Sequence, residues 1–175
     1  PEADLVEVVE QDPERAREVA DQYDVQVVDE VAKLEEARAA TIAVPNHLHR
    51  EVAVACIEAG LDIFVEKPLA MSVDDAQAIA DAASDAGAIL QVGHIERFNP
   101  AVEVLADIVA DKEVIALEAH RLGPFNDHLT KESVVFDLMI HDIDVIQSLV
   151  DSPVRHVDAV GTQSRSSEID HAIAH

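Results

Sequence analysis

The chain is 175 residues long, 49% hydrophobic and 3% aromatic, so it can bury a mainly aliphatic core in one domain or two small ones. Its 36 acidic and 12 basic residues give a net charge of -24, which disfavours nucleic acid and anionic membranes as partners. No apolar run approaches the roughly 18 residues that a membrane span needs. The single cysteine excludes an internal disulfide and favours a cytoplasmic location.

The excess of carboxylates also indicates adaptation to high salt. Acidic surfaces stay soluble in concentrated salt, where ionic screening removes the repulsion between their carboxylates. Strong acidity can instead mean disorder, but the apolar content and periodicity of this sequence argue against that interpretation. The hypothesis expects a melting temperature that rises between low and multimolar salt, and a temperature that does not rise would contradict it.

The first half of the sequence alternates short apolar strands with helices. Strands are predicted over 5–10, 25–28, 40–44, 62–65 and 88–93, and helices over 12–24, 30–38, 49–60 and 73–86. Asp12 is the predicted N-cap of the first helix, Ser72 and Asp75 form a capping-box-like start, and Gly60 and Gly87 end their helices. Strands separated by helices of about a dozen residues indicate right-handed crossovers and a parallel sheet.

The pattern changes near residue 95, where we place the boundary between a domain over 1–95 and a second α/β domain over 96–175. A helix is predicted from about residue 99, then an alternating strand over 113–122, a long helix over 133–150, a last strand over 154–162 and a polar tail. The predicted fold class is therefore α/β.

The ends of three predicted strands carry polar residues, at the carboxyl edge where an open parallel sheet binds its ligands. They are Glu10, Pro45-Asn46 and Glu66-Lys67-Pro68. Pro68 disfavours a helical conformation at Lys67, so we expect this lysine to be held extended at the ligand edge of the sheet. The alternative interpretation is a strand end with ordinary solvated charges.

A second group of polar residues lies on the predicted helix over 133–150. Asp137 and His141 are four residues apart and share one helix face, and Asp144 lies three residues beyond His141. Apolar residues flank this stripe, and a carboxylate beside a histidine near buried surface is typical of a general acid/base. The alternative is a polar helix face that points to water.

His47 and His49 form a His-x-His pair that can be interpreted as metal ligands. No cysteine cluster and no HExxH motif accompany the pair, and an imidazole near a helix N-terminus more often forms hydrogen bonds. A metal-dependent hydrolase is therefore an alternative function, which metal analysis of the purified protein would distinguish.

Taken in order, the segments VVEQDPERA, TIAVPNHLH, VEKP, QVGHIERFNPA and DLMIHDIDVI resemble the glucose–fructose oxidoreductase/inositol dehydrogenase (Gfo/Idh/MocA) family. The resemblance extends over nearly the whole chain. It implies a dinucleotide-binding Rossmann domain with a parallel sheet, followed by an α/β domain built on an open mixed sheet. The first strand and GxGxxG turn of the family have no counterpart here, so we expect an internal piece of a protein about twice as long, truncated in both domains.

The resemblance implies a set of cofactor-binding positions. These are Glu10, Pro45, Asn46, His49, Glu66 and Pro68. Glu10 takes the acidic position that hydrogen-bonds the adenosine ribose, which favours NAD over NADP because a 2′-phosphate would meet a carboxylate. No resident metal is implied.

The resemblance also implies hydride transfer between nicotinamide and a hydroxyl carbon of a sugar or sugar nucleotide. Lys67, Asp137 and His141 match the catalytic group, and Arg97 matches a position that often contacts substrate. An imidazole, with an unperturbed pKa of about 6.5, suits the general base, while a lysine stabilises a developing alkoxide. Asp137 would orient the sugar hydroxyl or the imidazole.

The segment GHIERFNP is most similar to family members that act on sugar nucleotides, with polyols and simple sugars as alternatives. The complete protein is expected to be a homo-oligomer. A non-catalytic relative that binds dinucleotide or sugar is the other alternative, and the presence of Lys67, Asp137 and His141 argues against it.

Overall fold

The chain divides into two units, Pro1–Gly93 and His94–His175. The computed structural model describes residues 3–125, 133–150 and 152–175. Within these residues, no helix is long and apolar enough to cross a membrane.

The first unit alternates strands with helices, as the sequence predicts. In chain order it contains β1 (Glu7–Val9), α1 (Pro13–Tyr23), β2 (Gln26–Val28), β3 (Ala39–Ile42), α2 (His49–Glu58), β4 (Asp62–Val65), α3 (Val73–Ala86) and β5 (Leu90–Val92). All the strand pairs described in this unit are parallel: β1 pairs with β2, and the second sheet has the order β3–β4–β5. The predicted Rossmann-type parallel architecture is confirmed.

Local caps explain why these helices begin and end where they do. The Asp12 side chain accepts hydrogen bonds from two backbone N–H groups of the first turn of α1, at 2.9 and 3.0 Å. Ser72 caps α3 by accepting a hydrogen bond from the Asp75 N–H at 3.1 Å. Gly87 ends α3 at a φ of 68°, in the left-handed region that glycine adopts at little cost.

The core of this unit is aliphatic and places β4 at its centre. β4 is the middle strand of its sheet, and its inward side chains pack with residues of α2 and α3. The buried apolar residues are Ile42, Ala53, Cys56, Ile57, Leu61, Ile63, Val65, Ala70, Ile79 and Ala83. Because this core surrounds β4, the carboxyl end of that strand is firmly positioned.

The predicted acidic helix over 30–38 is wrong, because only a single 3-10 turn forms at Val31–Lys33. The backbone N–H groups of residues 35–37 donate to the carboxylate of Glu7 on β1, at 2.8 to 3.1 Å. These hydrogen bonds, chiefly the one from Glu36, hold the pKa of Glu7 below its ordinary value. The carboxylate thus takes the N–H groups that a helix would have paired with its own carbonyls.

The described residues of the second unit form two helices and a strand pair. They are α4 (Pro100–Val109), α5 (Ile140–Leu149), β6 (Ala159–Thr162) and β7 (His171–Ala174). A 3-10 turn at Ile95–Phe98 precedes α4, and a π-helical turn at Val135–Met139 precedes α5. The helices predicted from residue 99 and over 133–150 are confirmed.

The strand predictions in the second unit are partly wrong. Residues 113–122 form no strand in the described part of the chain, where β6 and β7 pair only with each other. An alternating pattern assigns side chains to two faces but supplies no hydrogen-bonding partner, and the Ile115 side chain is 95% exposed. Of the expected mixed sheet, the described residues form one antiparallel pair of strands, β6 and β7.

β7 lies in the segment predicted as a polar tail. The Asp170 carboxylate accepts hydrogen bonds from the backbone N–H groups of Ser164, Arg165 and Ser166, which close the turn between β6 and β7. These bonds, led by the one from Ser164, hold the pKa of Asp170 well below its ordinary value. Hydrogen bonding by one carboxylate therefore turns a polar segment into a hairpin.

Candidate functional site

The turn Glu66-Lys67-Pro68 directly follows β4. The Glu66 N–H donates to β3 at 3.0 Å and the N–H of Gly93, which follows β5, donates to β4 at 2.8 Å, so the three strands end together. The Lys67–Pro68 peptide is cis, and α3 begins only at Val73. Lys67 therefore lies at the carboxyl end of the middle strand, on the edge where parallel sheets bind ligands.

Gly93 makes room for the Glu66 side chain beside this turn. A Cβ atom at Gly93 would lie 3.0 Å from Glu66 Oε2 and 3.2 Å from Phe64 Cζ. The same carboxylate oxygen accepts a hydrogen bond from the Lys67 N–H at 3.3 Å. Sequence reasoning missed Gly93 as a site position, although a glycine at a strand end on the ligand edge is a usable signal.

His49, the first residue of α2, connects two strand ends. The residue is 0% exposed, its Nδ1 lies 2.8 Å from the Pro68 carbonyl oxygen, and its Nε2 lies 3.0 Å from the Val44 carbonyl oxygen. Both ring nitrogens therefore face backbone acceptors, which makes His49 a positioning residue for the Lys67 turn.

This geometry bears on the His47/His49 alternative. A ring nitrogen within hydrogen-bond distance of a carbonyl oxygen is not directed at a metal ion, and both nitrogens of His49 are so placed. His47 is exposed in the 3-10 turn before α2. Among the residues that the structure describes, no group of three histidine, cysteine or acidic side chains could hold a metal ion.

Glu10 lies at the carboxyl end of β1. Its N–H donates to the Val28 carbonyl at 2.9 Å, which extends the pairing with β2 by one residue. Its carboxylate accepts a hydrogen bond from the Asp12 N–H at 3.0 Å and lies 3.6 Å from Arg15 Nε. The carboxylate is thus fixed beside the start of α1.

The strand ends of the first unit carry a hydrogen-bond acceptor and a cation that fit a nicotinamide dinucleotide. The Glu10 carboxylate can accept hydrogen bonds from ribose hydroxyls, and the Lys67 ammonium group is the cation that follows β4. Pro45 is exposed after β3, and Asn46 begins the next turn. The glycines at 60, 87, 93, 123 and 161 form no GxGxxG motif, so the phosphate-binding turn is not encoded in these 175 residues.

In the second unit, Asp137 and His141 lie on successive turns of one helical segment. Asp137 belongs to the π-helical turn and His141 to the first turn of α5, where it is 9% exposed. π-helical turns are rare and occur frequently at functional sites. They hold more residues per turn than an α-helix, so the four-residue spacing in the sequence did not determine the angle between these two side chains.

Arg97 binds the carboxylate of Asp144 through two hydrogen bonds. The distances are 2.7 Å from Nε to Oδ2 and 2.6 Å from Nη2 to Oδ1, and the Asp144 side chain is 8% exposed. His94 lies close to the same carboxylate, with its Nδ1 atom 3.7 Å from Asp144 Oδ1. Sequence reasoning placed Asp144 beside His141 but did not assign it to the site, and it did not foresee the partner of Arg97.

The electrostatics of this cluster favour an ionised Asp144. Burial raises the pKa of Asp144, but the hydrogen bonds and charge of Arg97, together with the nearby rings of His94 and His141, outweigh burial. The pKa of Asp144 therefore lies below its ordinary value, and its hydrogen bonds raise the pKa of Arg97. This buried carboxylate therefore ionises more readily than an ordinary aspartate.

The family model GFO_IDH_MocA, described as an oxidoreductase family with an NAD-binding Rossmann fold, matches residues 1–94. The chain is 34% identical over 173 residues to UDP-N-acetylglucosamine 3-dehydrogenase of Acidithiobacillus ferrooxidans, covering 97% of this chain and 54% of that protein. It is 29% identical over 165 residues to inositol 2-dehydrogenase of Rubrobacter xylanophilus, covering 90% of this chain and 48% of that protein.

The solved structures agree with the sequence relatives. The structure of the Acidithiobacillus ferrooxidans UDP-N-acetylglucosamine 3-dehydrogenase has a TM-score of 0.89 and 33% identity, covering 97% of this chain and 56% of that chain. A levoglucosan dehydrogenase in complex with NADH and levoglucosan has a TM-score of 0.78 at 24% identity, covering 97% of this chain and 53% of that chain, and shows a shared fold. The chain spans about half the length of the curated relatives that it matches.

Proposed function

Because the chain belongs to the Gfo/Idh/MocA family of NAD-binding oxidoreductases, we propose that the whole protein is an NAD(P)-dependent dehydrogenase acting on a sugar or sugar-nucleotide hydroxyl. The observation that carries this proposal is the placement of Lys67 at the carboxyl end of the middle strand β4. The turn that holds Lys67 is supported by the Glu66 carboxylate and the His49 ring.

In the proposed reaction, the hydride and the hydroxyl proton of the substrate are transferred to different groups. The nicotinamide, when bound, exchanges the hydride with the substrate carbon. Lys67 donates a hydrogen bond to the reacting oxygen and stabilises the negative charge that develops there. His141 takes the hydroxyl proton at its imidazole during oxidation and returns it during reduction, while Asp137 orients the hydroxyl or the imidazole.

We propose NAD as the cofactor, with NADP as the second candidate. Glu10 would hold the adenosine ribose, Glu66 and Pro68 would shape the turn near the nicotinamide, and Pro45 and Asn46 would lie along the cofactor. A 2′-phosphate next to Glu10 would bring two negative charges together, which supports NAD. His49 would contribute through the backbone that it holds.

A sugar nucleotide carrying an N-acetyl-hexosamine is the proposed substrate class. The support is the likeness to the UDP-N-acetylglucosamine 3-dehydrogenase, which extends over 97% of this chain. A polyol is the second candidate, supported by the likeness to the inositol 2-dehydrogenase over 90% of the chain. We also propose that Arg97 contacts the substrate. The Arg97 side chain is exposed, so its guanidinium group can bind an anionic group of the substrate while it remains paired with Asp144.

The whole protein, purified with NAD⁺ or NADP⁺, tests these assignments through the change in nicotinamide absorbance. We expect reduction of NAD⁺ with UDP-N-acetylglucosamine, a lower rate with NADP⁺, and no loss of activity after dialysis against a chelator. NADH binding without turnover on any sugar, sugar nucleotide or polyol would instead support the non-catalytic alternative. A protein that neither binds NADH nor turns over any of these substrates would refute the proposal. Bound metal together with metal-dependent hydrolysis would support the hydrolase alternative.

We further propose a cytoplasmic location and a homo-oligomeric state for the whole protein. Burial raises the pKa of the Cys56 thiol, so the single cysteine is protonated and unreactive and suits a reducing compartment. Cell fractionation tests the location, and light scattering tests the assembly.

A further inference from the structure

Two histidines of the second unit lie near a single buried carboxylate. The Nδ1 atom of His94 is buried, has no hydrogen-bond partner among the described residues and lies 3.7 Å from Asp144 Oδ1. His141 lies one helical turn before Asp144 on α5, and both of these residues are buried. Arg97 fixes this carboxylate through two hydrogen bonds.

We propose that Asp144 couples the protonation of His94 to that of His141, so that the carboxylate favours a proton on either ring and each protonated ring opposes protonation of the other. Asp144 and His94 are then positioning residues that set the pH range in which His141 exchanges protons. The consequence for turnover rests on the proposed function, in which His141 is the general base. The coupling itself does not depend on that function.

The sign of the coupling follows from the charges. An imidazolium and a carboxylate stabilise each other, and His141 and Asp144 are buried one helical turn apart, so each favours the charged form of the other. Arg97 already balances the charge of Asp144, so the cluster holds one protonated imidazole more easily than two. A proton on His94 therefore makes a proton on His141 less favourable.

Other charged groups on this part of the unit have partners or are exposed. Arg121 forms an ion pair with Asp142 at 2.9 Å, and the hydrogen bonds that it donates to that carboxylate, aided by the charges of Asp142 and Glu96, raise the pKa of Arg121. The acids of α4 are exposed. The charged or titratable groups on the elements around Asp144, besides its three partners, are Glu96, Glu103, Asp107, Arg121, Asp137 and Asp142.

Histidine titration by NMR tests the coupling in the whole protein labelled at the histidine Cε1 atoms. His94→Gln and His141→Gln assign the two resonances. In Asp144→Asn the midpoints of both histidines are expected to fall, by about one pH unit, because the favourable negative charge is lost. In His94→Gln the midpoint of His141 is expected to rise by about half a unit, because a competing cation is lost.

Asp144→Glu separates this role from simple support of the fold. It retains the charge and should keep both midpoints close to those of the unaltered protein, whereas a structural role alone predicts no opposite shifts between the other two variants. If the midpoint of His141 is unchanged in both Asp144→Asn and His94→Gln, the proposal is overturned.

The pH profile of kcat provides a separate reading. The part of the kcat–pH curve that reflects the titration of His141 should move to lower pH in Asp144→Asn and to higher pH in His94→Gln. If the unaltered protein shows no turnover, the proposed function fails while the NMR midpoints still decide the coupling. If turnover is normal but the midpoints do not move, the coupling fails and the proposed function stands.

Discussion

Replacing Lys67 with alanine is expected to reduce the kcat of the whole protein about a hundredfold or more. Lys67 lies at the end of the middle strand β4, on a turn supported by the Glu66 carboxylate and by His49. An ammonium group positioned in advance stabilises negative charge on the substrate oxygen without reorganisation, and alanine supplies neither the charge nor a donor. Steady-state turnover at saturating NAD⁺ and sugar nucleotide measures the effect.

Three further variants show what the lysine contributes. Lys67→Met keeps the apolar stem, so a loss equal to that of alanine assigns the effect to the ammonium group. Lys67→Arg keeps the charge but changes its shape, and partial recovery is expected. Lys33→Ala is the matched control because Lys33 forms an exposed ion pair with Asp29, and it should turn over normally. Near-normal turnover in Lys67→Ala would refute the assignment.

The elements of the first unit could be predicted where their determinants are local. The Asp12 and Ser72 caps, the left-handed Gly87 and the apolar run over 62–65 all lie within a few residues of the boundaries that they set, and the structure confirms these boundaries. The helix predicted over 30–38 failed because its competitor, the Glu7 carboxylate, comes from a strand 28 residues earlier. The hydrophobic pattern within residues 30–38 carries no information about a hydrogen-bond acceptor so far away in the sequence.

The same distinction applies to the candidate site. The position of Lys67 followed from a strand end and the proline after it, which are neighbours in the sequence. The bidentate pair of Arg97 and Asp144 joins residues 47 apart, and the His49 ring meets a carbonyl 19 residues away. Sequence reasoning therefore found side chains with suitable chemistry but not the contacts that orient them.

Replacing His49 with alanine is expected to lower the free energy of unfolding by about 3 kcal/mol. The imidazole is fully buried, so its removal leaves a cavity between α2, the end of β3 and the Lys67 turn. It also removes the donor to the carbonyl oxygens of Val44 and Pro68; a neutral ring donates one of these bonds and a protonated ring both. Chemical denaturation of the whole protein, followed by circular dichroism, measures the loss.

His47→Ala is the matched control, because His47 lies two residues away and is exposed, and its unfolding free energy should change by less than about 0.5 kcal/mol. Under conditions where His49→Ala stays folded, kcat should also fall, because the backbone that carries Lys67 has lost its connection to β3. Equal stability of the two variants would contradict the bridging role. A large loss of stability with unchanged kcat would show that His49 supports the core while the Lys67 turn is held by the Glu66 carboxylate and the strand pairing of β4.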